Sequence, residues 1–159
     1  MKTKLIIYIS LLTFVFGFTS CLESGLGDLE TYSDANVTAI NFEYRWSVAE
    51  NANDAWAGEK LQVKTLTTSA TFGDGTIECV ITVPAASGTF TATERAKVSL
   101  NNLNAYVTIS PGSTIEPLGN APVLGTLGDF SQSDLSYQVT SADKKTKKVW
   151  KITVKEFNK

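Results

Sequence analysis

Asp74 and Glu78, two carboxylates four positions apart, are the nearest approach to a catalytic pair in this chain of 159 residues. Paired carboxylates can supply the acid and the base of a glycosidase, but that reaction also needs a substrate cleft. The sequence contains no histidine, which removes the commonest general base, the usual partner of a nucleophilic serine and the commonest metal ligand. Its two cysteines, Cys21 and Cys79, are too few and too far apart for a zinc site. We therefore predict a protein that is not an enzyme and that holds no metal or cofactor.

A binding role is easier to place, at Trp56 and the polar residues before it. The face of an exposed tryptophan can stack on the C–H face of a sugar, and its N–H is a hydrogen-bond donor. Trp56, Asn53 and Asp54 therefore form a candidate glycan-binding site, with packing of Trp56 over the end of the domain as the alternative. The oxygens of Asn51, Asn53 and Asp54 also suggest calcium, but the carboxylate set of a calcium loop is missing. We expect a solvated polar loop there.

The first 21 residues have the form of a bacterial export signal. Two lysines precede an apolar run over residues 5–18, and the small residues Thr19 and Ser20 lead directly to Cys21. As a helix, the run would span about 21 Å, which is short of the roughly 30 Å of a bilayer core. A cleaved leader over residues 1–20 therefore fits better than a permanent membrane span.

This arrangement resembles the lipobox of bacterial lipoproteins, with Phe18 at the position that is usually Leu. The resemblance implies that Cys21 receives a diacylglycerol and becomes the new N-terminus, so that acyl chains hold the protein in a membrane. An ordinary secretory signal with a cysteine nearby is the alternative. Residues 21–36 contain two glycines and four carboxylates and are predicted to form a flexible tether. Acidic residues such as Glu23 accompany export to the outer face in Bacteroidota lipoproteins, so we expect an outer-membrane, surface-exposed protein.

From residue 37 onward the dominant period of the sequence is two, which is typical of half-buried strands. In VTAINFEYRW, residues 37–46, the even positions from Thr38 to Trp46 form a mainly apolar face. Similar segments follow without an evident helix, near residues 61–64, 77–83, 98–100, 105–109, 135–139 and 150–154. About seven short strands predict an all-β sandwich over residues 37–157. Trp46, Trp150 and Cys79 lie on the inward phases of their strands and are predicted to be core residues.

Two turns and a cluster of lysines complete the pattern. Asp74-Gly75 is predicted to turn the chain between the strands at 61–64 and 77–83, and residues 143–146 to turn it between the last two strands. Seven lysines make this last hairpin basic: Lys144, Lys145, Lys147, Lys148, Lys151, Lys155 and Lys159. They could meet anionic glycans or phospholipid headgroups, but protection of an edge strand is the simpler explanation. The net charge of −2 and the lack of a basic face elsewhere argue against a nucleic-acid partner.

The C-terminal part of the chain resembles a recurrent lipoprotein module of Bacteroidota. Within ISPGSTIEPLGNAPVLGTLGDFSQSDLSYQVTSADKKTKKVWKITV, residues 109–154, an SPG turn, a DFS triplet and a Y-x-V-T strand follow one another as in that module. Lys144 stands where the module usually has Gly, and VTAINF at residues 37–42 matches its opening strand. The resemblance implies an immunoglobulin-like sandwich of a kind often found in proteins linked to glycan uptake.

These observations together predict a lipid-anchored, non-catalytic module of the cell envelope. The expected partners are the membrane, through the lipid on Cys21, and a glycan or an envelope protein. A glycan-binding surface lipoprotein that uses Trp56 is the alternative.

Overall fold

The computed structural model describes residues 32–49 and 58–159. Over these ranges the chain forms nine strands, one α-helix and a 3-10 helix at Leu100–Asn102. The elements are β1 (Val37–Ala49), β2 (Glu59–Thr65), β3 (Thr67–Phe72), β4 (Thr76–Thr82), α1 (Ala92–Lys97), β5 (Leu103–Ile109), β6 (Thr114–Leu118), β7 (Leu127–Gly128), β8 (Leu135–Thr140) and β9 (Lys147–Asn158). The predicted site residues Cys21, Asn53, Asp54 and Trp56 lie outside the described residues. Within the described ranges, no helix is long and apolar enough to cross a membrane.

The strands form two sheets that pack face to face. One sheet has the order β2-β1-β5-β7 and the other the order β3-β4-β9-β8-β6. Neighbouring strands are antiparallel except β4 and β9, which are parallel. The apolar faces of the two sheets enclose one core. The predicted all-β sandwich is confirmed, with nine strands in the described ranges rather than about seven.

The alternating sequence of β1 builds half of this core. Phe42 and Trp46 point inward with 0% and 9% exposure, as predicted. Phe42 packs edge-on against Phe130, with ring centroids 5.3 Å apart. A register shift at the start of β1 buries Val37 and leaves Thr38 exposed. The predicted inward phase is therefore wrong for Thr38.

The five-stranded sheet contributes the other half of the core. Cys79 and Trp150 are buried, as predicted. The Cys79 thiol forms no disulfide, and burial raises its pKa to about 11, so it behaves as a small apolar core residue. Trp150 is buried although its indole N–H is polar, because that N–H donates to the backbone oxygen of Ala35 over 2.9 Å.

Three strands, β3, β6 and β7, are not predicted from the sequence. β3 reads TTSATF and is an outer strand of its sheet, so it has few large apolar residues to reveal it. β2 runs into β3 through the buried residue Leu66, and one extended segment thereby serves both sheets. The turn at Asp74-Gly75 consequently closes the β3–β4 hairpin, which corrects its predicted place between β2 and β4.

Residues 98–100 do not form the predicted strand, and a short helix precedes them. α1 begins after Thr91, whose hydroxyl accepts a hydrogen bond from the backbone N–H of Glu94 over 3.2 Å. Thr-x-x-Glu is a recognised start signal for a helix. Val98 ends the helix and is fully buried, and Leu100 opens the 3-10 helix. Two apolar residues at alternate positions were too short a pattern to distinguish a strand from a helix end.

The second half of β1 pairs with β2 alone, as a two-stranded ribbon that ends with Ala49 opposite Glu59. α1 and the segment before it close the inner side of this ribbon. The hydroxyl of Tyr44 donates to the Glu94 carboxylate over 3.2 Å, and the ring of Phe90 lies 6.3 Å from that of Tyr44. These contacts stabilise the part of the ribbon that extends beyond the last β1–β5 pair, Glu43 with Asn104. Such support matters because a lone hairpin is only marginally stable in water.

Residues 32–36, predicted as the end of the flexible tether, pack against the sandwich. Ala35 is buried and its backbone oxygen accepts from Trp150. Asn36 accepts from the backbone N–H of Ser110 and donates to its hydroxyl, each over 3.0 Å. The tether prediction is therefore wrong for these residues, because donors and acceptors of the sandwich satisfy their backbone groups.

The basic strand β9 is not at an edge of its sheet. It lies between β4 and β8, so edge protection, the simpler explanation of its lysines, is wrong. Three lysines of β9 instead pair with carboxylates of neighbouring segments: Lys148 lies 2.7 Å from Asp74, Lys151 lies 3.0 Å from Asp134 and Lys155 lies 2.9 Å from Glu78.

Candidate functional site

Asp74 and Glu78 each form an ion pair with a lysine of β9. Asp74 lies 2.7 Å from the ammonium of Lys148, and Glu78 lies 2.9 Å from that of Lys155. The hydrogen bond and charge of Lys148 hold the pKa of Asp74 below its usual range. The acid of a glycosidase needs a raised pKa, and the shift of Asp74 is in the opposite direction. Among the described residues, no three metal-ligating side chains converge.

The outward side of the four-stranded sheet carries a mixed aromatic, charged and apolar surface. Directly opposite residues of antiparallel strands project to the same face. The strand register therefore places Arg45 beside Val63 and Glu43 beside Asn104 on this side. We call this surface the Arg45–Tyr106 face, and it consists of Glu43, Arg45, Leu61, Val63, Asn104, Tyr106 and Leu127.

Arg45 is held from two sides at the centre of this face. Its guanidinium carbon lies 5.5 Å from the centroid of the Tyr106 ring, and its Nη2 donates to the Tyr106 hydroxyl. The same Nη2 lies 3.3 Å from the carboxylate of Glu43. An arginine fixed in this way loses little conformational entropy when a ligand binds. Arginine and tyrosine are also the residues that most often dominate the energy of protein interfaces.

Exposed aliphatic side chains flank the Arg45–Tyr106 pair. Leu61 and Val63 on β2 are 59% and 47% exposed, and Leu127 on β7 is 64% exposed. β2 is a strand as predicted, but its apolar residues face outward. Its polar residue Gln62 points the other way and accepts from the hydroxyl of Thr89 over 3.0 Å. Large apolar side chains around a fixed arginine are typical of a surface that a partner covers.

Two buried polar atoms of this face have no hydrogen-bond partner within the described ranges. They are Oδ1 of Asn104 and Nε of Arg45. Asn104 is 3% exposed, and its Nδ2 donates to the backbone oxygen of Gly125 over 3.3 Å. A buried polar atom without a partner costs about 1–3 kcal/mol. A ligand or a water molecule that hydrogen-bonds to these two atoms would remove this cost.

A concave site lies on the other sheet, between the end of β6 and the start of β8. Its volume is about 460 Å³, which is within the range of small-molecule sites. Asn120, Gln132 and Asp134 contribute polar groups to its lining, which contains no aromatic ring. Asp134 has a positive φ of 71° and its carboxylate is neutralised by Lys151. The cavity thus lacks both an unpaired charge and a ring for stacking.

The predicted sites and the observed surface are different parts of the chain. Cys21, Asn53, Asp54 and Trp56 lie outside the described residues, so their roles stay predictions. The sequence did not indicate a role for Tyr106, and it predicted only a polar outer face for β1, which includes Glu43 and Arg45. A Glu-x-Arg pair on one strand was a usable signal, but only strand pairing shows which aromatic residue lies against it.

The family of the chain follows from a comparison with known protein families. The model of the DUF5018-related family matches residues 37–153. The chain belongs to the DUF5018-related family. The matched range runs from β1 into β9 and includes every residue of the Arg45–Tyr106 face. That face therefore lies within the matched DUF5018-related domain.

Two solved structures are similar to this DUF5018-related chain. A predicted secreted protein from Bacteroides fragilis NCTC 9343 is 34% identical with a TM-score of 0.70, over 82% of this chain and 100% of that chain. A protein from Bacteroides thetaiotaomicron VPI-5482 assigned as a glycoside hydrolase is 26% identical with a TM-score of 0.38, over 56% of this chain and 20% of that chain. No curated protein is significantly similar to the chain. The first similarity agrees with the resemblance to a Bacteroidota module.

Proposed function

We propose that this protein is a lipid-anchored, non-catalytic, immunoglobulin-like interaction module of the bacterial cell envelope. It binds a protein partner through the Arg45–Tyr106 face, as an accessory of an assembly for glycan uptake. The observation that supports this most is the fixed Arg45–Tyr106 pair between the exposed side chains of Leu61, Val63 and Leu127.

A protein partner fits this face better than a small molecule. The face extends over four strands, and its outward residues come from both edges and the centre of the sheet. Protein interfaces need about 800 Å² on each partner and concentrate their energy in a few rigid aromatic and arginine side chains. A small molecule would instead need a concave pocket that covers most of its surface.

The envelope location rests on the leader and on Cys21. The similar protein from Bacteroides fragilis, a predicted secreted protein, supports export of this chain. We expect Cys21→Ala to move the protein from the membrane pellet to the soluble fraction, because the acyl chains are the proposed anchor. Cys79→Ala is the matched control and should stay in the pellet. Retention of Cys21→Ala would show that the lipid is not the anchor.

Site-specific photo-crosslinking tests the interaction face. A photoreactive residue is placed at Val63 in the full chain, in cells that naturally express it, and at Thr71 on the opposite sheet as the control. We expect a discrete adduct from position 63 alone, and its loss when Arg45→Ala is added. Equal adducts from both positions, or an adduct that persists with Arg45→Ala, would rule out a partner held by this face.

Binding of a glycan near Trp56 is the second candidate. The pairing of Ala49 with Glu59 places the ends of the segment 50–58 together, at the end of the ribbon. Residues 32–36 join β1 at its other end, so Ala49 and Glu59 lie at the end of β1 opposite to the one where the N-terminal segment enters. A glycan array with the wild-type protein and Trp56→Ala tests this candidate, and binding that survives the substitution would exclude Trp56.

A further inference from the structure

The turn between β8 and β9 concentrates positive charge at one end of the sandwich. Lys144, Lys145 and Lys147 are exposed there, and none forms an ion pair with a carboxylate of the described ranges. Lys148 is next to them and pairs with Asp74. The carboxylate of Asp143 lies in the same turn, where the Ser141 hydroxyl and a backbone N–H donate to it.

The N-terminal segment is fastened to this same end. The backbone N–H of Asp143 donates to the oxygen of Tyr32 over 3.3 Å, and the hydroxyl of Ser113 donates to the oxygen of Asp34 over 3.0 Å. Trp150 holds Ala35 in the same segment. We call this end, formed by residues 32–36, 110–113 and 141–148, the basic pole. Its lysines outnumber the aspartates Asp34 and Asp143 and the paired Asp74.

The N-terminal segment joins the sandwich at the basic pole, and the proposed lipid anchor Cys21 lies a short way before it in the sequence. Ten residues lie between Cys21 and Tyr32, and a fully extended chain over these eleven residue-to-residue steps reaches about 36–40 Å. β1 starts at the basic pole and has 13 residues, so its far end lies roughly 40 Å away. The chain from the proposed anchor therefore joins the sandwich at the basic pole, and the far end of β1 lies at the opposite end.

The conformation of Lys144 is a second observation at this pole. Its φ is 61°, in the left-handed region where a residue with a side chain is strained and glycine is not. The turn therefore carries a positive charge at its tip in a conformation that glycine would adopt more easily. Strain of this kind at an exposed turn is compatible with a role for the side chain in binding.

We propose that the basic pole rests on an anionic lipid surface and that its lysines contact lipid phosphate groups. This inference rests on the lipid anchor of the proposed function. Lysines close to an anionic membrane each strengthen association roughly fivefold, and the effect is lost beyond a Debye length of about 8 Å. The tether joins the sandwich at this pole and is long enough for the lysines to reach the lipid surface. The sandwich then stands on the membrane with the β1–β2 ribbon directed away from it.

Amine footprinting of the acylated full-length protein in vesicles tests this orientation. The protein is reconstituted in phosphatidylcholine vesicles with or without phosphatidylglycerol, and only protein that floats with the vesicles is labelled. We expect Lys144, Lys145 and Lys147 to react about threefold or more slowly on the anionic vesicles, and high salt to remove the difference. Lys60 and Lys97, on the ribbon and on α1, should react equally on both vesicles.

Charge reversal supplies a matched pair of variants. Lys144→Glu should reduce the protection of Lys145 and Lys147, whereas Lys60→Glu should leave it unchanged. Equal labelling of the three lysines on both vesicles, in protein that floats, would overturn the orientation and leave the anchor intact. Failure to float would overturn both the anchor and the orientation. Protection by a soluble anionic polysaccharide but not by anionic vesicles would also overturn the proposal, in favour of a glycan contact.

Discussion

The indole N–H of Trp150 donates a hydrogen bond of 2.9 Å to the backbone oxygen of Ala35, a residue 115 positions earlier in the chain. This buried bond joins the segment before β1 to the middle strand of the five-stranded sheet. The segment that leads toward the proposed lipid is therefore part of the folded domain.

Trp150→Phe should destabilise the protein by about 1–2 kcal/mol, because it leaves the buried oxygen of Ala35 without a donor. Chemical denaturation measures the free energy of unfolding, and hydrogen exchange at residues 35–36 should become faster. Trp46→Phe is the matched control, since the indole N–H of Trp46 is also buried but has no partner among the described residues. It should lose no hydrogen bond. An equal loss of stability in both variants would indicate an effect of ring size alone.

Lys144→Gly should stabilise the protein by about 0.5–1 kcal/mol. The left-handed conformation of Lys144 costs roughly 1–2 kcal/mol for a residue with a side chain, and the greater freedom of glycine in the unfolded chain offsets part of the gain. Thermal denaturation measures the effect. Lys145 does not have a positive φ, so Lys145→Gly should be neutral or destabilising. Stabilisation by both substitutions would point to relief of charge repulsion instead.

The stability of the protein should fall at acidic pH, in part through Asp143. Hydrogen bonds from the Ser141 hydroxyl and from the backbone N–H of Lys145 hold the pKa of Asp143 below its usual range. A depressed pKa in the folded state means that the ionised carboxylate stabilises the fold above the ordinary aspartate value of about 3.9. This contribution is lost as the pH falls through the lower pKa of the folded state.

Urea denaturation from pH 7 down to about pH 2.5 measures this contribution. We expect Ser141→Ala to flatten the decline below about pH 4, since it removes the hydrogen bond that most depresses the pKa of Asp143. Ser113→Ala is the control, because the hydroxyl of Ser113 bonds to a backbone oxygen rather than to a carboxylate. An unchanged slope in Ser141→Ala would assign the acid sensitivity to other carboxylates.

Cys79 should not react with iodoacetamide in the folded protein at pH 8. It is fully buried, and burial raises the pKa of its thiol to about 11, so it presents almost no thiolate. After unfolding in urea, the count of reactive thiols also reports on the anchor. One reactive thiol is expected if Cys21 carries lipid, and two would show that it does not. Cys79→Ala should remove the single signal.

Iodide quenching should report on Trp56 alone. The chain has three tryptophans, and the other two, Trp46 and Trp150, are only 9% and 4% exposed. If Trp56 offers a face to sugars, iodide should quench part of the fluorescence, and Trp56→Phe should abolish that part. A bound glycan should also reduce the quenching, because it would cover the ring of Trp56. Complete absence of quenching in the wild-type protein would remove the stacking proposal.

Much of the fold is predictable where buried and exposed residues alternate within one strand. Phe42, Cys79 and Trp150 all lie on the apolar phase of strongly alternating segments, and all are buried. β3 and β6 escape prediction because they are outer strands of their sheet, and such strands need few buried side chains. β2 is also an outer strand of its sheet. Its apolar residues Leu61 and Val63 are exposed, so they do not indicate which side of β2 faces the core.

The candidate site is less predictable than the fold because it depends on which strands are neighbours. Nothing in the local sequence places Tyr106 over Arg45, 61 positions away. The prediction that the lysines of β9 protect an edge strand was wrong for the same reason. Strand order within a sheet is set by long-range pairing. Residue types thus indicated strands and turns, whereas the contacts between distant residues required the structure.

The parallel pairing of β9 with β4 has a consequence for biogenesis. Residues 147–158 fill the middle of the five-stranded sheet, so that sheet cannot assemble while they are still being synthesised. Contacts between such distant parts of a chain also form slowly. If the protein is exported as proposed, its five-stranded sheet therefore stays incomplete until this strand has been made.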